Sequence, residues 1–586
     1  MIDFRNVNTL WASVLVETLH HCGVITAVVC PGSRSTPLTV AFANHPQITA
    51  IPILDERSAS FFALGRAKKT GLPTVLVCTS GTAGANFYPA VIEAKESGIP
   101  LIILTADRPP ELRNCHAGQA IDQIRLYGNY PQWQAELALP EADLSLLRYL
   151  RQTIVQACQQ SLSPYPGVVH LNVPLREPLA PISQPLSKIE VQFPSDFFEG
   201  VSSGLALGHI ASNSLSNAAA SPWHHCRGKS GIIIAGLAQP QDPIAYCQAI
   251  AFLSQQLSFP VFAEALSPLR NHAQLNPYLV STYDAILRQP IASELIPEVI
   301  IQVGELPISK QLRSWLEKIN VERWVIAPRI DNLDPLHGKT THLPGTIEQV
   351  AAAIPQDNTE QSGYCQSWLK LEATGRKNID RTLTSLDQLY EGKVAWLLSQ
   401  TLPSGTPIFL ANSMSVRYAE YFWQPNRNRI APYFSRGANG IDGTLSTALG
   451  IAYRDQALLL TGDLALLHDT NGFLLAQKFQ GHLTIVLINN NGGGIFELLP
   501  IADFPSFEPY FTTPQTVDIS KLCAAYSVEH LQINSWQQLA NLTKYLPPTG
   551  IRVLEVICDR HTDAMWLKEN LPLLANSQIT PENNSL

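Results

Sequence analysis

The fold is decided by residues 457–464, Ala-Leu-Leu-Leu-Thr-Gly-Asp-Leu, and by residues 483–492, Leu-Thr-Ile-Val-Leu-Ile-Asn-Asn-Asn-Gly. Each stretch is a short apolar run that ends in small and polar residues, which is the pattern of a buried strand followed by a turn. Asp463 and Asn490 are 27 positions apart. Because parallel strands end at the same edge of a sheet, we expect these two side chains to lie side by side.

The side chains at this predicted edge are oxygen donors. Asp463 offers a carboxylate, Asn490 an amide oxygen, and the adjoining loop a backbone carbonyl. Mg²⁺ prefers such ligands, uses few of them from the protein, and completes its shell with phosphate oxygens and water. Either stretch alone is typical of an ordinary turn, since Gly-Asp and Asn-Gly are common turn dipeptides. Together, behind two strands, they predict a site for a metal ion and a diphosphate.

Outward from this stretch, strand and helix patterns alternate along the whole chain, which indicates α/β units with parallel sheets. The predicted strands are Ile25–Cys30, Ile48–Leu54, Thr74–Cys78, Leu101–Thr105, Gly167–Asn172, Gly231–Gly236, Phe259–Ala263, Val299–Gly304, Arg323–Ala327, Pro407–Ala411, Ala457–Thr461, Leu483–Asn489 and Ile551–Ile557. Helical patterns include Ser58–Lys68 and Ala83–Lys95.

Two stretches interrupt this alternation. Residues 179–230 are rich in Pro, Ser and Ala, and residues 355–363 are polar, so both are predicted to be irregular connections. The chain is therefore expected to be α/β, with three doubly wound parallel-sheet domains. Their predicted bounds are 1–190, 205–355 and 375–586.

The composition argues against several classes of protein. The chain has 586 residues and a net charge of −8, with no strongly basic segment, so nucleic acid is not an expected partner. No apolar run reaches the roughly 18–20 residues of a membrane span. Apolar residues near the N-terminus recur at helical spacing and do not form a leader peptide. These features predict a cytoplasmic protein without a membrane span.

Basic residues stand beside small residues in loops after predicted strands. They are Arg34, Arg108, Lys310, Arg417 and Arg436. Each alone is typical of an exposed surface charge. Together, in an acidic protein, they predict a pocket for substrates with several carboxylates, because Arg binds a carboxylate through two parallel hydrogen bonds.

The paired motif at Asp463 and Asn490 resembles the diphosphate-binding motif of thiamine-diphosphate-dependent enzymes, although Leu464 stands where that pattern usually has a glycine. Within these enzymes the chain resembles the 2-succinyl-5-enolpyruvyl-6-hydroxy-3-cyclohexene-1-carboxylate synthase family. The segments that carry this resemblance are PGSRSTPL (31–38), LDERSASFFALG (54–65), TSGTAGANFYPAVIEA (79–94), TADRPPELR (105–113), NSMSVR (412–417), SRGANGIDGTLSTALG (435–450) and NNNGGGIFELLP (489–500). They cover both outer blocks, whereas the middle block matches weakly.

The resemblance implies three domains of the thiamine-diphosphate-dependent decarboxylase type, which bind the pyrimidine (first domain) and the diphosphate (third domain). It implies thiamine diphosphate with Mg²⁺, or Mn²⁺ in its place, as cofactors. It also implies a homodimer or homotetramer with active sites at the dimer interface. The implied reaction decarboxylates 2-oxoglutarate and adds the succinyl carbanion to isochorismate, on the route to menaquinone or phylloquinone.

The resemblance also assigns residues. Glu56 is the catalytic residue, whose carboxyl hydrogen-bonds the aminopyrimidine and promotes loss of the thiazolium C2 proton; from position alone it is a common first-turn helix residue. The metal ligands are Asp463, Asn490 and Gly492. The cofactor contacts are Glu56, Ser80, Gly81, Thr82, Gln119, Ile441, Gly462, Asp463, Leu464, Asn490, Ile495 and Phe496. The substrate contacts are Ser33, Arg34, Arg108, Gln119, Lys310, Ser413, Arg417, Arg436, Ile495, Phe496 and Leu499.

Two positions depart from the pattern of close relatives. Gln311 stands where a second cation can follow Lys310, and Gly118 stands where an Asn can precede Gln119. The alternative activity is that of another thiamine-dependent decarboxylase or carboligase, such as an acetohydroxyacid synthase, which acts on pyruvate. Pyruvate has one carboxylate and does not need this many cations. A catalytically silent binding protein is a further alternative, against which the presence of Glu56 and Asp463 argues.

Overall fold

The structure is a computed structural model that describes residues 2–185, 191–201, 226–329, 331–354, 356 and 360–576. Among these residues, no helix is both long and apolar enough to cross a membrane. Most of the predicted connection at 179–230 lies outside the described residues. Its described part includes Phe197, which is buried in the core of the first sheet.

Three parallel sheets of six strands each organise the chain, with strand orders β2-β1-β3-β4-β6-β5, β12-β11-β10-β7-β8-β9 and β14-β13-β15-β16-β18-β17. The first sheet contains β1 (Thr26–Val29), β2 (Thr49–Pro52), β3 (Thr74–Cys78), β4 (Leu101–Asp107), β5 (Trp133–Glu136) and β6 (Val168–Pro174). The second contains β7 (Gly231–Ala235), β8 (Val261–Ala263), β9 (Leu279–Val280), β10 (Val299–Val303), β11 (Glu322–Ala327) and β12 (Thr340–Pro344). The third contains β13 (Pro407–Leu410), β14 (Ala431–Tyr433), β15 (Gln456–Gly462), β16 (His482–Asn489), β17 (Glu529–Ile533) and β18 (Gly550–Ile557).

Helices connect the strands, as parallel pairing requires. In the first half of the chain they are α1 (Val7–His21), α2 (Thr36–Ala43), α3 (Glu56–Thr70), α4 (Tyr88–Ser97), α5 (Leu144–Leu162), α6 (Pro243–Leu257) and α7 (Tyr283–Ile286). In the second half they are α8 (Lys310–Lys318), α9 (Ile347–Ala352), α10 (Gly363–Ser385), α11 (Glu391–Thr401), α12 (Met414–Phe422), α13 (Thr444–Ala452), α14 (Asp463–His468), α15 (Ile519–Ala525), α16 (Trp536–Lys544) and α17 (Arg560–Asn570).

The predicted α/β fold class is confirmed, and all three sheets are parallel. Every interior strand coincides with a predicted strand. Five edge strands, β5, β9, β12, β14 and β17, were not predicted. The predicted helix Ala83–Lys95 is wrong at its start: a 3₁₀ helix covers Gly81–Phe87, and α4 begins at Tyr88. Pro89 in the first turn of α4 explains this start, because proline needs no intrahelical hydrogen-bond partner there.

The described residues belong to two compact units. Unit 1 comprises Met1–Ile210, Ser435–Tyr453 and His468–Phe479, and unit 2 comprises Ala211–Phe434, Arg454–Leu467 and Gln480–Leu586. Unit 1 therefore contains the first sheet together with α13, whereas unit 2 contains the second and third sheets.

In unit 1, α3 packs closely on α13 through glycines. A Cβ on Gly65 would lie 2.1 Å from the carbonyl oxygen of Thr447, and a Cβ on Gly450 would lie 2.1 Å from that of Phe62. Only glycine permits such a close backbone approach. Because α3 begins at Glu56, this packing sets the position of the predicted catalytic carboxylate within unit 1.

In unit 2, a buried polar cluster joins the second and third sheets. Arg270 donates to the Glu420 carboxylate at 2.9 Å, and the hydroxyl of Tyr283 donates to the same oxygen. Arg270 and Glu420 are at most 1% exposed. Removing one partner of a buried pair leaves an uncompensated charge, which typically costs about 3–5 kcal/mol. The cluster therefore holds α12, the helix that carries Arg417, against the second sheet.

Candidate active site

Asp463 and Asn490 lie at the carboxyl ends of β15 and β16, which are neighbours in the third sheet with Gly462 opposite Ile488. The carboxylate of Asp463 is buried and accepts hydrogen bonds from the backbone N–H of Leu464 and of Gly492, each at 2.8 Å. The turn after β15 and the loop after β16 are therefore tied together by one carboxylate. The two stretches that the sequence placed side by side do meet in the structure.

The amide oxygen of Asn490 is the atom of this side chain that is available to a ligand. Its Nδ2 donates to Oε1 of Glu391 at 2.7 Å, whereas its Oδ1 is buried without a hydrogen-bond partner among the described residues. Leaving a buried polar atom unpaired costs about 1–3 kcal/mol. Gly492 has a φ of +133°, and a Cβ there would lie 2.4 Å from the Thr512 carbonyl oxygen. The residues present therefore fit a bound cation near Asp463, with the amide oxygen of Asn490 as a ligand.

The electrostatics of this edge also favour a cation. Burial raises the pKa of Asp463, although the two N–H donors oppose that shift. Burial, with the nearby Asp563 charge, raises the pKa of Glu391 to about 8, and burial raises the pKa of Asp563 to about 7. Three carboxyl groups thus share a region with little solvent, where a positive charge would stabilise their ionised forms.

Arg560, at the start of α17, holds the loop after β16 by hydrogen bonds and was not predicted from the sequence. Its guanidinium donates to the carbonyl of Asn491 at 2.8 Å and to the Glu497 carboxylate at 3.2 Å. It also pairs with Glu508. Arg560 therefore connects the loop of Asn490 with the segment that carries Ile495, Phe496 and Leu499.

A cavity of about 300 Å³ lies in unit 2 beside this segment. Its cationic lining residues are Arg288, Lys310, Arg417 and Lys568, and its apolar lining includes Ile495 and Leu499. The structure therefore brings together four of the predicted substrate residues, while Ser413 and Phe496 do not line the cavity. Arg288 and Lys568 were not predicted, because Arg288 lies in the turn after α7 and Lys568 in α17, and neither has a motif around it.

The cations of this cavity are held by local contacts. Arg417 donates to the carbonyl of Ser413 at 2.6 Å, and burial lowers the pKa of its guanidinium. Asp284 pairs with Arg288 at 2.8 Å and accepts from the hydroxyl of Ser309, the residue that caps the helix beginning at Lys310. Ser413 has a φ of +67°, a conformation that non-glycine residues adopt at a cost and often at functional sites. One carboxylate thus orders two of the four cations.

In unit 1, the predicted residues follow β1 to β4 at one edge of the first sheet. Glu56 is the first residue of α3 and is half-buried, and the preceding Asp55 caps the helix by accepting from Ser58 N–H at 2.8 Å. Burial, together with the nearby Glu56 charge, raises the pKa of the Cys78 thiol at the end of β3. The catalytic candidate therefore lies close to the ends of the central strands.

Arg34 and Arg108 lie near each other at this edge. Burial, and after it the charge of Arg108, lowers the pKa of Arg34. Arg34 donates to the Leu175 carbonyl at 2.9 Å, and its Nε is buried without a hydrogen-bond partner among the described residues. Arg108 donates to the carbonyl of Gly118 at 2.8 Å. Since a carbonyl needs no side chain, an Asn in place of Gly118 is not required for this contact.

The remaining unit 1 candidates form two groups. The amide of Gln119 donates to the carbonyl of Ser80 at 3.3 Å, and Gln119 has a φ of +58°. Ser33 lies in the loop after β1, and Gly81 and Thr82 begin the 3₁₀ helix that follows β3. In the segment around Arg436 and Ile441, the N–H groups of Gly437 and Ala438 donate to Glu93 at 3.1 and 2.7 Å. Glu93 thereby fixes the loop that follows Arg436.

Comparisons with known proteins match this arrangement along the chain. Residues 11–126 match the "Thiamine pyrophosphate enzyme, N-terminal TPP binding domain", residues 209–410 the "Middle domain of thiamine pyrophosphate", and residues 412–556 the "Thiamine pyrophosphate enzyme, C-terminal TPP binding domain". A curated 2-succinyl-5-enolpyruvyl-6-hydroxy-3-cyclohexene-1-carboxylate synthase from Gloeothece citriformis is 61% identical, and the alignment covers 97% of this chain and 99% of that one. The chain belongs to this synthase family.

Other members of the synthase family are similarly close. The protein of the same name from Trichodesmium erythraeum is 58% identical over 97% of this chain and 99% of its own length. The one from a Nostoc species is 56% identical over 99% and 100%. The resemblance that the sequence motifs indicated is therefore confirmed over nearly the full length, including the middle block.

Solved structures support the fold that the synthase family shares with other thiamine enzymes. Benzoylformate decarboxylase from Polynucleobacter necessarius superposes with a TM-score of 0.68 at 17% identity, covering 95% of this chain and 99% of that one. A putative thiamin diphosphate-dependent enzyme from Mycobacterium smegmatis gives a TM-score of 0.66 at 17% identity, covering 93% and 99%. At this identity the likeness concerns the fold alone.

The departures from the synthase pattern have local explanations. Gln311 lines the cavity, and its amide donates to the Leu287 carbonyl at 2.8 Å, so it supports the wall and adds no charge. Arg288 and Lys568 bring other cations to the same space. Leu464 is the second residue of α14, where the backbone N–H that binds Asp463 does not require glycine.

Proposed function

We propose that this protein is a 2-succinyl-5-enolpyruvyl-6-hydroxy-3-cyclohexene-1-carboxylate synthase. It decarboxylates 2-oxoglutarate, releases CO₂, and adds the succinyl unit to isochorismate. The observation that carries the proposal is the identity of 61% over 97% of the chain with a relative of that name. The cation-lined cavity supports the same conclusion, because both substrates carry two carboxylates.

Thiamine diphosphate is the proposed cofactor, with Mg²⁺ or, in its place, Mn²⁺ bound by Asp463, Asn490 and the Gly492 carbonyl. When bound, it supplies the carbon nucleophile on which decarboxylation and carbon–carbon bond formation depend. Its other contacts are assigned to Ser80, Gly81, Thr82, Gln119, Ile441, Gly462, Leu464, Ile495 and Phe496. Glu56 holds and relays the proton at the pyrimidine nitrogen.

The substrate carboxylates are assigned to the cations. In unit 2, Lys310 and Arg417 line the cavity with Leu499, and Ser413 holds Arg417 through its carbonyl. In unit 1, Ser33, Arg34, Arg108, Gln119 and Arg436 are the candidates. The apolar side chains of Ile495 and Leu499 exclude water around the charged groups, which strengthens each ion pair.

Three further features belong to the proposal. The chain acts as a homodimer or homotetramer, with active sites at the dimer interface. Its product leads to menaquinone or phylloquinone. A cytoplasmic location remains the prediction made from the sequence.

The reaction can be tested with purified protein, thiamine diphosphate and Mg²⁺. We expect 2-oxoglutarate to be consumed faster when isochorismate is present, and pyruvate to be at least about tenfold poorer, because it lacks the distal carboxylate whose charge-assisted hydrogen bond contributes about 1.5–3 kcal/mol. Consumption of each 2-oxo acid and release of CO₂ are the measurements. Equal turnover of pyruvate would favour an acetohydroxyacid synthase activity instead.

Replacing the arginines is expected to impair the use of substrates and to leave cofactor binding unchanged. Arg34→Ala, Arg108→Ala and Arg417→Ala are each expected to lower kcat/KM for one substrate by at least about tenfold, since a carboxylate loses a charge-assisted hydrogen bond in a partly dry site. Steady-state kinetics with each substrate varied in turn are the measurement. Lys318→Ala removes an exposed cation at the far end of α8 from Lys310 and serves as the control for net charge. Wild-type kinetics in all three arginine variants would contradict the dicarboxylate pocket.

A further inference from the structure

Glu391 is a buried carboxylate without a role in the assignments above. It is the first residue of α11 and is 2% exposed. Its backbone N–H donates to Asp563 at 2.9 Å, and its side chain is hydrogen-bonded by Tyr418. The side-chain oxygen Oε1 accepts from Asn490 Nδ2 at 2.7 Å. Glu391 is thus anchored on two sides and directed at a proposed metal ligand.

The amide of Asn490 can be placed in two orientations, related by a half-turn about its last side-chain bond. The Glu391 oxygen that faces Asn490, Oε1, is the acceptor, whether the carboxyl group is ionised or carries its proton on the other oxygen. It therefore selects the orientation that turns the NH₂ group towards it. The oxygen Oδ1 then faces the opposite way, where it has no partner among the described residues. Nδ2 also lies close to Gly494, where an added Cβ would be 2.7 Å from it.

We propose that Glu391 is a positioning residue for the metal: it orients Asn490 so that Oδ1, and not the NH₂ group, faces the cation. The inference rests on the proposed metal-dependent cofactor site. Groups that hydrogen-bond a metal ligand on the side facing away from the metal fix the ligand's orientation, and they typically contribute about 10–100-fold to metal affinity. Glu391 and Asn490 are 99 positions apart, so no local sequence motif connects them.

Exchanging the donor and acceptor roles tests the proposal. Glu391→Gln should weaken Mn²⁺ binding by about tenfold or more, because the new amide can present its own NH₂ group and turn Asn490 around. In the Asn490→Asp background, two carboxylates face each other, and Glu391→Gln should then strengthen Mn²⁺ binding by a similar factor, because it restores a donor opposite an acceptor. Glu391→Gln is therefore expected to weaken Mn²⁺ binding in the wild-type background and to strengthen it in the Asn490→Asp background.

The measurement is the electron paramagnetic resonance signal of free Mn²⁺, titrated against full-length protein in the presence of thiamine diphosphate. Glu555→Gln is the matched control, since it makes the same change at a buried carboxyl that accepts from the neighbouring Asn489 and not from Asn490. It should leave the Mn²⁺ affinity unchanged, and thermal melting of each apo variant verifies folding.

The outcomes separate the inference from the proposed function. Weaker binding for Glu391→Gln in both backgrounds shows that the carboxylate acts by charge or by stability and overturns the positioning role. Equal losses in Glu391→Gln and Glu555→Gln overturn it as well. If the wild-type protein binds no Mn²⁺ with thiamine diphosphate, the metal site itself fails and the inference falls with it.

Discussion

Replacing Asp463 with alanine is expected to abolish binding of thiamine diphosphate in the presence of Mg²⁺. The carboxylate is the only charged group among the three proposed ligands, and it also accepts from the N–H groups of Leu464 and Gly492. Since loss of a group that merely supports a ligand costs about 10–100-fold, loss of the ligand itself should cost at least about 100-fold in affinity. Isothermal titration calorimetry of thiamine diphosphate with Mg²⁺ measures this change.

Two companion variants distinguish metal binding from folding. Asp463→Asn retains an acceptor for only one of the two N–H groups and lacks the charge, so it should bind the cofactor weakly. Asp559→Asn removes an exposed carboxylate at the start of α17, where asparagine also caps a helix well, and should bind normally. Unchanged affinity in Asp463→Ala would remove this residue from the metal site.

Replacing Glu56 with glutamine is expected to leave thiamine diphosphate bound but to slow its activation by about 10²–10⁴-fold, the usual contribution of a general acid or base. The amide has nearly the same shape as the carboxyl but cannot relay a proton to the pyrimidine nitrogen. Exchange of the cofactor C2 proton for deuterium, followed by nuclear magnetic resonance after rapid quenching, measures this step directly.

Asp55→Asn is the matched control for Glu56. It removes the neighbouring charge while preserving a good helix cap for Ser58 N–H, so its exchange rate should remain that of the wild type. A wild-type exchange rate in Glu56→Gln would assign the proton relay to another group. A loss of cofactor affinity in the same variant would show that the carboxylate contributes to binding instead.

The interior of each sheet could be predicted because it is buried on both faces. Strands such as β4, in which all seven residues are buried, require continuous apolar runs that are visible in the sequence. The residues of edge strands such as β12 and β17 are mostly exposed or half-buried, and apolar residues are mixed with polar ones within each strand. No continuous apolar run therefore identifies these strands in the sequence. The same reason explains why Asp463 and Asn490, which follow interior strands, could be paired in advance.

The sequence by itself determined the α/β class, the parallel order implied by alternating strands and helices, and the residues that carry chemistry in local motifs. Glu391, Arg560, Arg288 and Lys568 became visible only in the tertiary structure. None of them has a local motif around it, and Arg560, for example, reaches Asn491 across 69 residues of the chain. The positions of these side chains depend on how strand ends and helix starts pack together, and not on spacing in the sequence. Packing therefore decides which of them contact the proposed metal ligands and which line the cavity.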